Sequence, residues 1–249
     1  LVFRSRYLSV LLSFPIQFYA NHYSPYAQRS WITLRQLNIP FSYEHIELGK
    51  DNKTDWFLAL NPNGAVPVIK QNDIIIYESL VINEYLSEVF GNPENKLLPE
   101  NPVLTAKARI LISRCDAKFV KLAYTYLSHK PTDSQESTAK DEELRNTLEA
   151  ELRFLDDILA ESQGRYFLGE ILSLVDIAFI PFFERMLVAL ETWKGFNIKS
   201  FNFNALNRWL DAMSSLDSYQ GTQMEPEKIK EVYSRFLGSD YFKKVGIAN

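Results

Sequence analysis

The stretch "VPVIKQNDIIIYES", Val66 to Ser79, reads as two short apolar runs folded back on each other. Val66–Lys70 and Ile74–Tyr77 are rich in β-branched residues, and the polar trio Gln71, Asn72 and Asp73 between them is a hairpin-type turn. A helix over Ser79–Phe90 follows. Towards the N-terminus, Ile16–Ala20 reads as a strand. Ser24-Pro25 then opens a helix over Pro25–Leu37, with apolar positions at Trp31, Leu34 and Leu37. Serine supplies an N-cap oxygen, and proline tolerates the first helical position. Phe41–Glu47 reads as a second strand and Thr54–Leu60 as a short helix. The order β-α-β-α-β-β-α in about 75 residues predicts a compact α/β unit.

Beyond the linker "GNPENKLLPENP" the strand signals largely stop. Leu111, Cys115, Phe119, Leu122 and Tyr126 fall at helical spacing, as do Leu144, Leu148, Leu152, Leu155 and Leu159. The segment "HKPTDSQESTA" between them is a polar connector. Ser173 and Asp176 form a capping-box pattern ahead of an apolar helix over Ile177–Leu190. Further helices are expected over Phe203–Met213 and Pro226–Phe236. The reading is therefore an α/β domain over residues 16–92 and an all-helical domain over residues 93–249.

Composition narrows the function classes. The 249 residues carry a net charge of −4, which leaves no electrostatic footprint for nucleic acid. The single cysteine, Cys115, permits no internal disulfide and no cysteine-based zinc site. His22, His45 and His129 are scattered, so a metal site is not expected. The opening "LVFRSRYLSVLLSFP" holds Arg4, Arg6 and a short apolar run from Tyr7 to Leu12, too short to span a bilayer. A secretory segment, a transit-peptide tail and an extension compete for it; an extension over residues 1–15, packing little against the first domain, is the expectation.

The layout and several separated motifs resemble the cytosolic glutathione S-transferases. "DNKTDWFLALNPNGAVPVI", "IIIYESLVINEYLSEVFG" and "KLLPENP" resemble the omega class, and "SLVDIAFIPFF" resembles the start of the family's sixth helix. The likeness runs from Ile16 to the C-terminus. It departs at one place: omega-type proteins open the first helix with Cys-Pro, whereas this chain has Ser24-Pro25-Tyr26, closer to the Ser-Pro-Phe of the tau class. The resemblance implies a thioredoxin-like N-terminal domain, an all-α C-terminal domain, glutathione as co-substrate and a homodimer. It also implies a cytoplasmic protein without a membrane span, an organellar address on residues 1–15 being the alternative.

Glutathione carries two carboxylates, an amine and a thiol, so its site needs a peptide-docking edge, a group for each terminus and a partner for the sulfur. By the resemblance, Val66 and Pro67 supply the edge through a cis bond, a form of strand addition; an ordinary edge-strand proline is the competing reading. Ser79 is expected to cap the helix it opens and to receive the γ-glutamyl carboxylate there. The resemblance puts Glu78 at the γ-glutamyl amine and Lys53 at the glycyl end. As bare residues, these read as a solvated acid and a surface lysine.

Ser24 is either a plain cap or the hydroxyl that holds the thiolate. Lowering a thiol pKa by roughly two units takes about 2.7 kcal/mol. A charge-assisted hydrogen bond of about 1.5–3 kcal/mol and a helix end of about 0.3–1 kcal/mol supply that much. Tyr19, Tyr23 and Tyr26 are the alternative hydroxyls, with Tyr23 first. A serine oxygen cannot form the mixed disulfide on which omega-type thiol transfer runs, and Cys115 reads as a small buried hydrophobe. The expected activity is conjugation of glutathione to a hydrophobic electrophile bound between the first helix and the helical half. A non-catalytic interaction module and a glutathione-dependent reductase or isomerase are the alternatives.

Overall fold

Alternation decides the sheet. A computed structural model describes residues 15–248, and the expectation for the N-terminal extension lies, Pro15 apart, outside the described residues. In β1 (Ile16–Ala20) the side chains of Ile16, Phe18 and Ala20 are buried while Gln17 is exposed. The period of two puts one face of the strand into the core. β1 continues into α1 (Pro25–Gln36), and the chain returns in β2 (Phe41–His45), parallel to β1. A 3-10 turn (Asp51–Lys53) and α2 (Asp55–Leu58) lead to the antiparallel hairpin of β3 (Val68–Gln71) and β4 (Ile74–Tyr77). The hairpin turns at Asn72, which takes a left-handed backbone (φ 54°) that asparagine tolerates. β3 pairs antiparallel with β1, so the mixed sheet runs β2-β1-β3-β4, and α3 (Ser79–Phe90) packs beside α1. The third strand starts at Val68 rather than Val66, because Val66 and Pro67 extend past its last rung with Tyr77.

The described chain divides into two units, one up to Leu98 together with Asp217–Thr222, the other from Pro99 to Leu216 and from Gln223 onward. The sequence reading put the division at residues 92/93 and gave everything after it to the helical half. The strap at 217–222, which holds α9 (Asp217–Gln220), counts instead with the first unit. Gln28 of α1 donates to the Thr222 carbonyl (3.1 Å), Ser218 donates to Gln36 (2.7 Å), and Arg35 donates to the Asp217 carbonyl (3.3 Å). A polar segment of this kind carries no periodic signal that announces where it docks.

The regular elements of the second unit's described residues are all helical, the isolated bridge between Tyr166 and Gly169 aside. It comprises α4 (Pro102–Arg114), a π-helical stretch (Cys115–Val120), α5 (Lys121–Ser128), α6 (Gln135–Glu161), α7 (Leu174–Lys194), α8 (Asn204–Ser214), α10 (Pro226–Gly238) and α11 (Tyr241–Lys244). The polar connector is shorter than its composition suggests, because Ser134 caps α6 and draws the residues after it into the helix. The capping box at Ser173 and Asp176 is present. The buried Asp176 carboxylate accepts from the Ser173 N–H (2.8 Å) and hydroxyl (2.7 Å), the Phe167 N–H (3.0 Å) and the Trp209 indole (2.9 Å). Around it Phe167, Phe179, Phe183 and Trp209 form an aromatic core.

Lys194 closes α7 with an ion pair that a pH titration can read. Its ammonium group donates to the His129 carbonyl and to Asp141, both at 2.6 Å, and His129 Nδ1 lies 3.0 Å from the same carboxylate oxygen. Burial raises the Asp141 carboxyl, but the hydrogen bonds from Lys194 and His129 outweigh it and hold the group below its ordinary 3.8. A carboxyl depressed on folding stabilises the fold above its unfolded pKa and loses that contribution as pH falls through the folded one. The thermal midpoint of the native chain should therefore exceed that of Asp141→Asn at neutral pH. The gap should close below pH 3.8, and parallel melting curves would refute this.

Candidate functional site

The turn after β1 is set by Asn21, which is buried. Its carbonyl accepts from the Ser24 N–H (3.0 Å), its side-chain oxygen from the Tyr23 N–H (2.9 Å), and its amide donates to the Ile46 carbonyl (2.8 Å). The turn delivers Ser24 in an extended conformation at the N-cap of α1, where Oγ accepts from the Ala27 N–H at 3.2 Å. One lone pair is thereby used inward, and the hydroxyl proton is left to donate outward.

The loop before β3 is held from below. Asn52 accepts from the Gly49 N–H and donates to the Gly64 carbonyl, each at 2.6 Å, and Asn61 donates to the Ala65 carbonyl at 2.8 Å. Gly64 has φ 59°, and a Cβ there would sit 2.8 Å from the Asn52 carbonyl oxygen, so only glycine fits. The loop ends in a cis Val66–Pro67 bond. No described residue hydrogen-bonds the Val66 N–H or C=O, which leaves a short open edge past the last rung of the hairpin.

That edge lines a pocket of about 180 Å³ with Tyr26, Asn61, Ala65, Pro67, Glu78 and Ser79. Four of the sequence-predicted residues, Val66, Pro67, Glu78 and Ser79, thus share one wall. Ser24 and Lys53 are not among its lining. Lys53 is exposed on the turn below, its ammonium group 3.6 Å from where a Gly64 Cβ would stand.

The expected cap is displaced by one residue. Glu78, not Ser79, occupies the N-cap of α3, and Ser79 is the first helical residue with no side-chain cap bond. The reason is the backbone: Glu78 has φ 70° and ψ 113°, so the chain kinks there and the helix starts one step later. A non-glycine residue in that region costs on the order of 1–3 kcal/mol and tends to mark functional sites. Its carboxylate is exposed and accepts from Asn63 at 3.4 Å.

The profile for "Glutathione S-transferase, N-terminal domain" matches residues 18–94, and that for "Glutathione S-transferase, C-terminal domain" matches residues 138–212. Glutathione S-transferase L3 of Arabidopsis thaliana is 32% identical over 218 residues, 87% of this chain and 86% of that protein. The chain belongs to the glutathione S-transferase family. Glutathione S-transferase omega-1 of Sus scrofa is 29% identical, over 89% of this chain and 86% of the pig protein. The tau class glutathione S-transferase of mango, Mangifera indica L., superposes with a TM-score of 0.77 at 25% identity, covering 90% and 98% of the two chains. The thioredoxin-like and helical halves expected from the sequence are those of a glutathione S-transferase.

Of the alternative hydroxyls in this glutathione S-transferase, Tyr23 is exposed on the turn, and Tyr19 donates to Gln17 (3.2 Å). Burial, then Glu44, holds the Tyr19 phenol above its ordinary pKa. Tyr26 is the tyrosine that lines the pocket. Cys115 is fully buried, its thiol donating to the Ala178 carbonyl at 3.3 Å. Sequence reasoning missed Tyr26 as pocket wall, Asn61 as the loop's brace, and Arg29, which is fully buried on α1 with Nη1 3.5 Å from Ser79 Oγ. The "NPNG" run carried the signal for Asn61. An arginine on a helix reads as a solvated side chain, so nothing in the sequence marked Arg29.

Proposed function

We propose that the chain binds glutathione in the pocket of the first unit and conjugates its thiolate to a hydrophobic electrophile, with Ser24 as the thiolate's hydrogen-bond donor. The observation that carries the reading is the open Val66 edge beside Glu78, Ser79 and the start of α3, all in one pocket wall. An extended cysteinyl backbone would pair with the Val66 N–H and C=O as an added strand. The first N–H groups of α3 and the Ser79 hydroxyl suit the γ-glutamyl carboxylate. Glu78 suits the amine, and Lys53 the glycyl carboxylate.

The buried state of Cys115, the only cysteine, favours conjugation over disulfide-based reduction. A reductase of thioredoxin-like type needs an accessible thiolate to form the mixed disulfide. Homodimerisation is proposed on the family alone. Among the described residues no helix is long and apolar enough to cross a membrane.

Titration calorimetry tests the binding step. Glutathione should bind with millimolar or better affinity, and Glu78→Ala or Ser79→Ala should each weaken it by about tenfold, the worth of one charge-assisted hydrogen bond. A flat titration of the native chain would favour the interaction-module alternative.

A further inference from the structure

Two of the histidines, far apart in the sequence and read there as scattered, come together at one end of the sheet. β1 and β2 run parallel with Ala20 opposite His45, and the chain turns directly after β1. The Ile46 N–H donates to the Ala20 carbonyl (2.9 Å), and the Asn21 amide donates to the Ile46 carbonyl (2.8 Å). These bonds pin the turn against the end of β2. His22 of the turn and His45 of β2 lie with ring centres 6.1 Å apart and planes 32° from parallel.

The His22 ring is held in place. It stacks on Tyr43 at 4.8 Å and 22°, and Trp31 of α1 flanks it at 4.8 Å. Tyr43 is fixed in turn by its hydroxyl, which donates to the Ala20 carbonyl at 3.3 Å. Neither imidazole makes a hydrogen bond to any described residue, and both histidines are exposed. Stacking accounts for the ring faces but leaves the ring nitrogens open. Neutral imidazoles held in a fixed orientation are ready metal ligands.

A metal–imidazole bond of about 2.0–2.1 Å puts the ring centre roughly 3 Å from the ion, so two rings on one ion have centres up to roughly 6 Å apart. The observed separation therefore fits a single ion with a wide angle between its two bonds. Among the described residues no group of three His, Cys, Asp or Glu side chains converges on one point. Glu44, between Tyr43 and His45, is in register with Tyr19 and acts on that phenol instead. Two imidazoles leave the other positions of the ion to water or a further ligand. So sparse a set retains the ion that binds nitrogen most strongly, and in the first-row divalent series that is Cu(II), ahead of Ni(II) and Zn(II).

We infer that His22 and His45 form a two-imidazole site for Cu(II) between the turn before α1 and the end of β2. Neither histidine lines the glutathione pocket, so the inference goes beyond the glutathione reading and does not depend on it.

Calorimetric titration of the full chain with Cu(II) tests it. The chain carries no histidine tag, and glutathione is left out because its own soft thiolate would take the ion. The native chain should bind one equivalent with micromolar or better affinity. His22→Gln and His45→Gln should each weaken that binding by about tenfold or more, while His129→Gln, in the helical unit, should leave it within about twofold. Zn(II) should bind about tenfold more weakly than Cu(II). The electron paramagnetic resonance spectrum of the Cu(II) complex should show coupling to two imidazole nitrogens in the native chain and to one in either glutamine variant. An unchanged affinity in either of those variants, several weak equivalents in place of one, or Zn(II) bound more tightly than Cu(II) would overturn the inference and leave the cluster as ring packing. Should a glutamine variant fail to fold, the native spectrum carries the test, and coupling to one nitrogen or none would overturn it.

Discussion

Ser24→Ala should lower glutathione conjugation at neutral pH by roughly 10- to 100-fold, the loss of one hydrogen bond to a charged sulfur. Glutathione affinity should stay within about twofold, since the tripeptide's ends are held by other groups. The pKa of the bound thiol should rise, and part of the lost rate should return at higher pH, where the thiol ionises unaided. Because Ser24 also caps α1, the alanine variant should lose about 1 kcal/mol of stability. Ser24→Thr keeps both the cap and the hydroxyl and separates the two effects. Ser24→Cys makes the opposite test. It should suppress conjugation and introduce thiol transfer, in which the new thiolate attacks a disulfide sulfur and expels the other sulfur as thiolate. A pH–rate profile unchanged in Ser24→Ala would reduce Ser24 to a cap. Tyr26 would then be the next hydroxyl to test, in place of the exposed Tyr23.

Asp176→Ala should strongly destabilise the helical unit. Four donors converge on its two carboxylate oxygens: the Phe167 N–H and Trp209 indole on one, the Ser173 N–H and hydroxyl on the other. Removing the acceptor strands buried donors at about 1–3 kcal/mol each, partly relieved by water and by rotation of the serine, for a net loss of about 3–4 kcal/mol. For a chain of this size the thermal midpoint should fall by roughly 10 °C. Asp176→Asn should cost less but still fail to match the native chain, because an amide group would turn its own donors on Ser173. Burial, against these hydrogen bonds, raises the Asp176 carboxyl above its ordinary pKa. A group raised on folding contributes stability that is fully present below its unfolded pKa and is lost as pH rises through the folded one. The deficit of Asp176→Ala should therefore widen in mild acid, and thermal melts between pH 7 and pH 4 would show it. A midpoint within 2 °C of the native chain would refute the account.

Local chemistry made much of the molecule legible. The β-branched runs at Ile74–Tyr77 and around Val68, the Ser-Pro start of α1 and the Ser173–Asp176 box each rely on neighbours within four residues, so they could be read directly. The same locality made the edges less certain. The short helix expected over Thr54–Leu60 is Asp55–Leu58, and the helical spacing through Cys115 conceals a π-helical stretch at Cys115–Val120. One extra residue in a turn barely disturbs a pattern of threes and fours.

The sequence by itself determined the two-part architecture and the family, and it named Ser24, Lys53, Val66, Pro67, Glu78 and Ser79 as site candidates, because hydrophobic period, turn residues and motif order are written along the chain. Tertiary structure alone decided the rest. It displaced the α3 cap from Ser79 to Glu78 through a backbone angle that no residue type announces. It docked the strap at 217–222 on α1 through Gln28, Arg35 and Gln36, residues almost two hundred positions away. It buried Arg29 behind Ser79, fifty positions along. A polar side chain gives the same signal in the sequence whether it faces water or a partner, and only the folded chain supplies the partner.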